Sequence, residues 1–235
     1  MSATRFRCGA ILTDIEGTTG SIAFVRDALF PYAQEHLADF IAHHRDDPAV
    51  VKALHDSALD AGEPDADEAR IIEILREWIR DDKKITPLKT LQGLIWAEGY
   101  AKGELRGHVY PDAVAGLRRW RAAGINLYVY SSGSIEAQKL LFGNSTAGNL
   151  LDLFHGFFDT TIGAKTDRAS YHRIADALGM VPDDILFLSD REAELHAAHE
   201  ADFGVACIAR PGEAEPGAVS AYPTFATFED IDAEI

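Results

Sequence analysis

The sequence predicts an α/β fold, a doubly wound parallel sheet with an inserted helical cap domain, and three observations predict it. Short apolar runs recur at 8–13, 125–130, 157–159, 185–189 and 204–209, each cut off by a polar or glycine-bearing loop. Helical periodicity fills the gaps between the later runs, which is the texture of βα units. Between the first run and the second, the stretch 20–107 carries helical pattern alone. It is most simply an insertion, so the expected division is 1–19 with 108–235 for the sheet domain and 20–107 for the cap.

The elements follow in order. Cys8–Thr13 reads as a strand stopped by Asp14-Ile-Glu-Gly-Thr-Thr19. Phe24, Val25, Ala28, Leu29, Tyr32, Ala33, Leu37, Phe40 and Ile41 recur at helical spacing, with Pro31 expected to kink or restart the helix. Asp47-Pro48 reads as a cap followed by proline at the first helical position. The clearest helix carries Ile71, Ile72, Ile74, Leu75, Trp78 and Ile79 on one face and Arg70, Glu73, Arg76, Glu77 and Arg80 on the other. A further helix is expected over Lys89–Lys102, and another over Asp112–Ala123, ending at Gly124. The strand Ile125–Tyr130 then leads through Ser131–Ser134 into the helix Ile135–Phe142. Ser170 is expected to cap the helix that Gly179 closes. The runs at 185–189 and 204–209 complete the sheet, the latter ended by Arg210-Pro-Gly212.

Composition narrows the function. Hydrophobic residues make up 47% and charged residues 26%, which places the chain among globular proteins and not disordered ones. Lys and Arg number 22 against 38 Asp and Glu, a net charge of −16, which argues against a nucleic acid or an anionic membrane as partner. A small anionic substrate stays compatible, because one divalent cation reverses the local field. Cys8 and Cys207 are far apart in sequence and form neither a disulfide framework nor a metal pair, so buried reduced thiols are expected. The start of the chain lacks the apolar stretch of a secretory signal, and no run approaches the roughly 20 apolar residues of a membrane span. The expectation is a soluble, cytoplasmic protein.

In an open α/β sheet, ligands bind beyond the carboxyl ends of the strands. Those positions supply Asp14 and Glu16 after the first strand, Ser131 and Ser132 after the second, Lys165 after the third, and Asp190 with Glu194 after the fourth. Singly, each has an ordinary explanation: a turn former, a helix cap, a solvated lysine, acids at a helix start. Together they place acids, hydroxyls and one ammonium on a single edge. Carboxylates favour a hard cation such as Mg²⁺. Serine hydroxyls and N–H groups at the start of the 135–142 helix suit phosphate oxygens, and Lys165 adds a point charge. A carboxylate so placed can attack phosphorus, and Glu16 can then move protons. The absence of a GxxxxGK[ST] pattern argues against a nucleotide-cradling loop.

Asp14-Ile-Glu-Gly-Thr-Thr, Tyr130-Ser-Ser-Gly-Ser, Lys165 and Ser189-Asp190-x-x-x-Glu194 resemble the four motifs of the haloacid dehalogenase-like hydrolases. More closely, the chain resembles their enolase-phosphatase (acireductone synthase) family, in which Glu replaces the second motif Asp. The likeness continues through Leu29-Phe-Pro-Tyr32, Leu91–Trp96, Gly107–Asp112, Ala137–Phe142 and Phe158–Lys165. The resemblance implies a methionine-salvage enzyme that enolises 2,3-diketo-5-methylthiopentyl-1-phosphate and then removes its phosphate. It implies one Mg²⁺ at Asp14, Glu16 and Asp190, substrate contacts from Ser131, Ser132 and Lys165, a supporting role for Glu194, and a monomer. Glu16 is expected to give its main-chain carbonyl to the metal and its carboxyl to protons. His108 is a second candidate base for enolisation, with packing at the hinge as its ordinary explanation. The competing expectations are a phosphatase for another small ester, a phospho-acceptor switch and a metal-independent dehalogenase.

Overall fold

The protein is described by a computed structural model over residues 5–213 and 220–235. The readings made on Met1–Thr4 and on 214–219 of the tail lie outside the described residues. The elements are β1 (Arg5–Arg7), β2 (Ala10–Thr13), the single turn α1 (Ile22–Phe24), α2 (Phe30–His43), α3 (Pro48–Asp60), α4 (Glu68–Arg80), α5 (Thr86–Lys102) and α6 (Pro111–Ala122). They continue as β3 (Asn126–Tyr130), α7 (Ile135–Gly143), β4 (Gly156–Phe158), α8 (Arg168–Leu178), β5 (Ile185–Ser189), α9 (Glu192–Glu200), β6 (Gly204–Ile208), β7 (Thr224–Phe225) and β8 (Asp232–Glu234).

The main sheet has the order β4-β3-β2-β5-β6-β7, with every pair parallel. All residues of β2 and β5 are buried, as expected for strands covered on both faces. Alternation along the strands sorts the core into two layers. Ile11, Val129 and Leu188 face one layer with Leu117, Trp120 and Phe142, while Leu12, Tyr130 and Phe187 face the other with Tyr171, Ile174 and Leu195. The chain runs from β2 outward to β3 and β4, then returns to β5 on the other side of β2. The carboxyl end of β2 is therefore the point where strand order reverses, and Asp14 follows it directly.

The chain divides into two compact units, Met1–Phe24 with Gly107–Ile235, and Val25–Arg106. The second is helical throughout. Its α2 is preceded by a π turn at Val25–Leu29 and restarts with Pro31 in its first turn, where the missing N–H costs nothing. Trp96 Nε1 donates to the Leu29 carbonyl at 2.8 Å, tying α5 to the start of α2. Asp47 caps α3 through the Ala49 N–H, as its sequence implies. Leu37, Ile41, Leu75, Trp78 and Leu91 form an apolar core of this unit.

Local reading failed in three places. The helix expected from Lys89 starts at Thr86, with Pro87 in its first turn. Ser170 does not cap α8. Asp167 does, through the Ala169 N–H, while the Ser170 hydroxyl donates to the Ala164 carbonyl at 2.8 Å. The pairing of β1 with β8 joins sequence ends that carry no strand signal of their own. Both cysteines are free and buried.

Candidate active site

Asp14 sits at the switch point because β2 lies between β3 and β5. Its N–H donates to the Leu188 carbonyl at 2.9 Å, which extends the β2–β5 ladder to the residue itself. The carboxyl is nearly sequestered, at 2% exposure. Lys165 Nζ donates to Asp14 Oδ1 and lies 2.6 Å from Glu194 Oε2. The same Glu194 oxygen accepts the Ser189 hydroxyl at 2.8 Å. Thr18 Oγ1 donates to Asp14 Oδ2 at 3.4 Å.

The remaining predicted residues border this cluster. The Ser131 hydroxyl donates to Glu16 Oε2 at 3.3 Å and accepts the Gly133 N–H at 3.1 Å, so it turns the loop as well as facing Glu16. Ser132 is exposed at the next position, and Ser134 caps α7 through the Ala137 N–H. Asp190 lies against the motif loop. Gly17 has φ +73°, and a Cβ there would stand 2.5 Å from Asp190 Oδ2, so glycine lets the loop approach that carboxylate closely. His108 is engaged elsewhere: its Nδ1 accepts the Ser21 N–H at 3.1 Å.

The electrostatics are unbalanced. Burial pushes the Asp14 carboxyl up, and Glu194 and Glu16 push the same way, against the Lys165 ammonium. Burial pulls Lys165 down, but Asp14 and Glu194 more than compensate and hold it above the ordinary lysine range. Burial, then the charge of Glu194, pushes Asp190 up to about 6. Four acids thus face one cation.

A divalent cation would relieve that excess, and the residues fit one. Asp190 Oδ1 is a buried oxygen with no hydrogen-bond partner among the described residues, an expense that a metal ligand explains. Among the described residues no three Asp, Glu, His or Cys side chains are grouped for a metal. A donor set of two carboxylates and one main-chain carbonyl does not require such a group.

Several residues that support the site were not singled out from sequence. Tyr171 donates to the Lys165 carbonyl at 2.6 Å, and Tyr130 donates to the Gly163 carbonyl at 2.9 Å, so two core tyrosines fix the loop that delivers the lysine. Gln138 Nε2 holds the Gly133 and Phe158 carbonyls at 2.8 and 2.9 Å. Each is a buried side chain with a polar group, a signal that only its partner makes readable.

A family model described as haloacid dehalogenase-like hydrolase matches residues 8–202. The chain is 54% identical over 225 residues to a protein of Pseudomonas aeruginosa (strain LESB58) named Enolase-phosphatase E1, with 96% of this chain and 98% of that one covered. It is 53% identical to the Azotobacter vinelandii protein of the same name, over 95% of this chain and 96% of the relative. Among solved structures it resembles the UTR4 protein of Saccharomyces cerevisiae, with a TM-score of 0.79, 32% identity, and 94% and 99% of the two chains covered.

Proposed function

The chain belongs to the haloacid dehalogenase-like hydrolases and, among them, to the enolase-phosphatases; from that premise we propose that it enolises 2,3-diketo-5-methylthiopentyl-1-phosphate and hydrolyses its phosphate ester, yielding the acireductone of methionine salvage. The observation that carries the reading is the convergence of Asp14, Lys165 and Glu194 at the switch point, with Glu16 facing the Ser131 loop.

The chemistry divides among the chain's own groups. Glu16 takes the proton from the carbon next to the carbonyl, and the electron pair moves onto the carbonyl oxygen. Ser131, Ser132 and the N–H groups at the start of α7 hold the phosphate. An Asp14 oxygen attacks phosphorus as the bond to the substrate oxygen breaks, and Glu16 returns a proton to that leaving oxygen. Glu16 then deprotonates water, which attacks the phosphorus and releases phosphate, restoring the Asp14 carboxylate; Glu16 gives up that proton to solvent, from which the enolate oxygen is protonated. Lys165 keeps Asp14 oriented and screens its charge. Asp14, Asp190 and the Glu16 main-chain carbonyl would hold Mg²⁺, which when bound supplies charge neutralisation for the incoming phosphate.

The domain division expected above, 1–19 with 108–235 as catalytic core and 20–107 as cap, belongs to this proposal. So do monomeric assembly and a cytoplasmic setting, which suits two buried free thiols. Among the described residues no helix is long and apolar enough to cross a membrane.

The test measures enol formation by ultraviolet absorbance and phosphate release in parallel. The wild-type chain gives both. Glu16→Asp, shorter by one methylene, lowers enolisation at least about 10-fold more than hydrolysis of a simple phosphate ester. Phosphate release from the diketone with no enol signal would reduce the chain to a general phosphatase, and equal losses in both steps would remove Glu16 as the shared base.

A further inference from the structure

We propose that Arg210 is a positioning residue for the phosphoryl acceptor, acting on Asp14 through Thr18; this rests on the functional reading above. From sequence, Arg210 is no more than the end of the last long strand. In the structure it is a cation 4% exposed, just past β6. A buried guanidinium is expensive unless its donors are used. Nε and NH2 both donate to the Thr18 carbonyl, at 3.0 and 2.8 Å. NH1 lies 2.7 Å from each carboxylate oxygen of Asp112. The guanidinium covers the Tyr110 ring at 4.2 Å, and Asp112 is itself held by the Phe228 N–H at 2.9 Å.

Thr18 lies in the loop that begins at Asp14. Its hydroxyl donates to Asp14 Oδ2 at 3.4 Å and its N–H to the Ile15 carbonyl at 3.1 Å. Gly17, one residue before it, is the close approach to Asp190. The position of Thr18 therefore sets how the Asp14 carboxylate is turned and how near the loop comes to Asp190. The charge of Arg210 is matched by Asp112, so its influence on Asp14 is geometric. Lysine is a poor substitute, because one ammonium cannot reproduce a rigid fork on two partners.

The test uses the full chain and two substrates, the diketo phosphate and p-nitrophenyl phosphate, with a double-mutant cycle of Arg210→Gln and Thr18→Val. Arg210→Gln lowers kcat about 10–100-fold on both esters with KM changed less than about 3-fold. Arg210→Lys retains more activity than Arg210→Gln. In the Thr18→Val background, Arg210→Gln costs less than about 3-fold more, because the route to Asp14 is already cut. Amide hydrogen exchange, read without substrate or metal, quickens at residues 17–20 and stays slow in β2. Additive losses, an unchanged kcat, or exchange that quickens equally in β2 would overturn the proposal. If Arg210→Gln does not fold, Arg210→Lys takes its place in the same cycle, with a smaller loss of kcat expected and the same non-additivity with Thr18→Val and the same exchange pattern as criteria. A wild-type chain that releases phosphate from neither ester overturns the functional reading itself, whereas wild-type turnover with additive losses overturns only the role of Arg210.

Discussion

In the helical unit, ions meet at the surface: Arg70 pairs with Glu63 at 2.8 Å, Arg45 with Glu68 at 2.7 Å and Lys102 with Glu98 at 2.5 Å, all partly exposed. Its core is apolar, and its buried polar side chains are Ser57 and Gln92. In the sheet unit, Lys165 and Arg210 are buried against carboxylates. Exposed pairs contribute about 0–1 kcal/mol each, while burying an ion costs several kcal/mol before pairing offsets it. A sequence needing only stability has little reason to bury such groups, and the helical unit shows that this chain can build a core without them. The buried charge lies at the edge where the candidate site residues converge.

Four substitutions test that contrast, the strongest first. Asp14→Asn removes the proposed acceptor and lowers phosphate release at least about 10³-fold, with wild-type circular dichroism; a smaller loss would break the contrast at its centre. Lys165→Met leaves Asp14 and Glu194 facing each other without a cation. It lowers stability by roughly 3–5 kcal/mol in urea unfolding and activity by about 10²-fold or more.

Asp190→Asn separates function from stability through pH. Folding raises the Asp190 pKa from 3.8 to about 6, so the native state favours the protonated acid. Its stabilising contribution is complete below the unfolded value and is lost as pH rises through about 6. Without metal, the asparagine variant has the higher Tm above pH 6, while turnover is lost; a wild-type chain more stable than the variant at pH 8 would contradict the shift. Arg70→Met in the helical unit leaves the urea-unfolding midpoint and phosphate release unchanged within error. A larger effect would erase the difference between the units.

Local chemistry made parts of the fold legible. The Asp47 cap, the 68–80 helix and the 185–189 strand follow from capping, a 3.6-residue period and an unbroken apolar run, all properties of neighbouring residues. Ser170 misled because serine caps helices and also bonds local carbonyls; the choice was made by the Ala164 carbonyl six residues earlier. The short β1, β7 and β8 had no periodicity to read.

The sequence by itself determined that the α/β alternation would bring Asp14, Glu16, Ser131, Ser132, Lys165, Asp190 and Glu194 to one edge, because parallel strands all end on the same side. Only the tertiary structure decided their partners. Lys165 reaches Asp14 across 151 residues because β2 sits between β3 and β5, and strand order is not encoded in any local stretch. The same packing leaves one Asp190 oxygen without a partner among the described residues and brings Arg210 onto Thr18 from 192 residues away. Such contacts depend on the summed geometry of the whole sheet, whereas caps, periods and motif spacings depend on residues a turn or two apart.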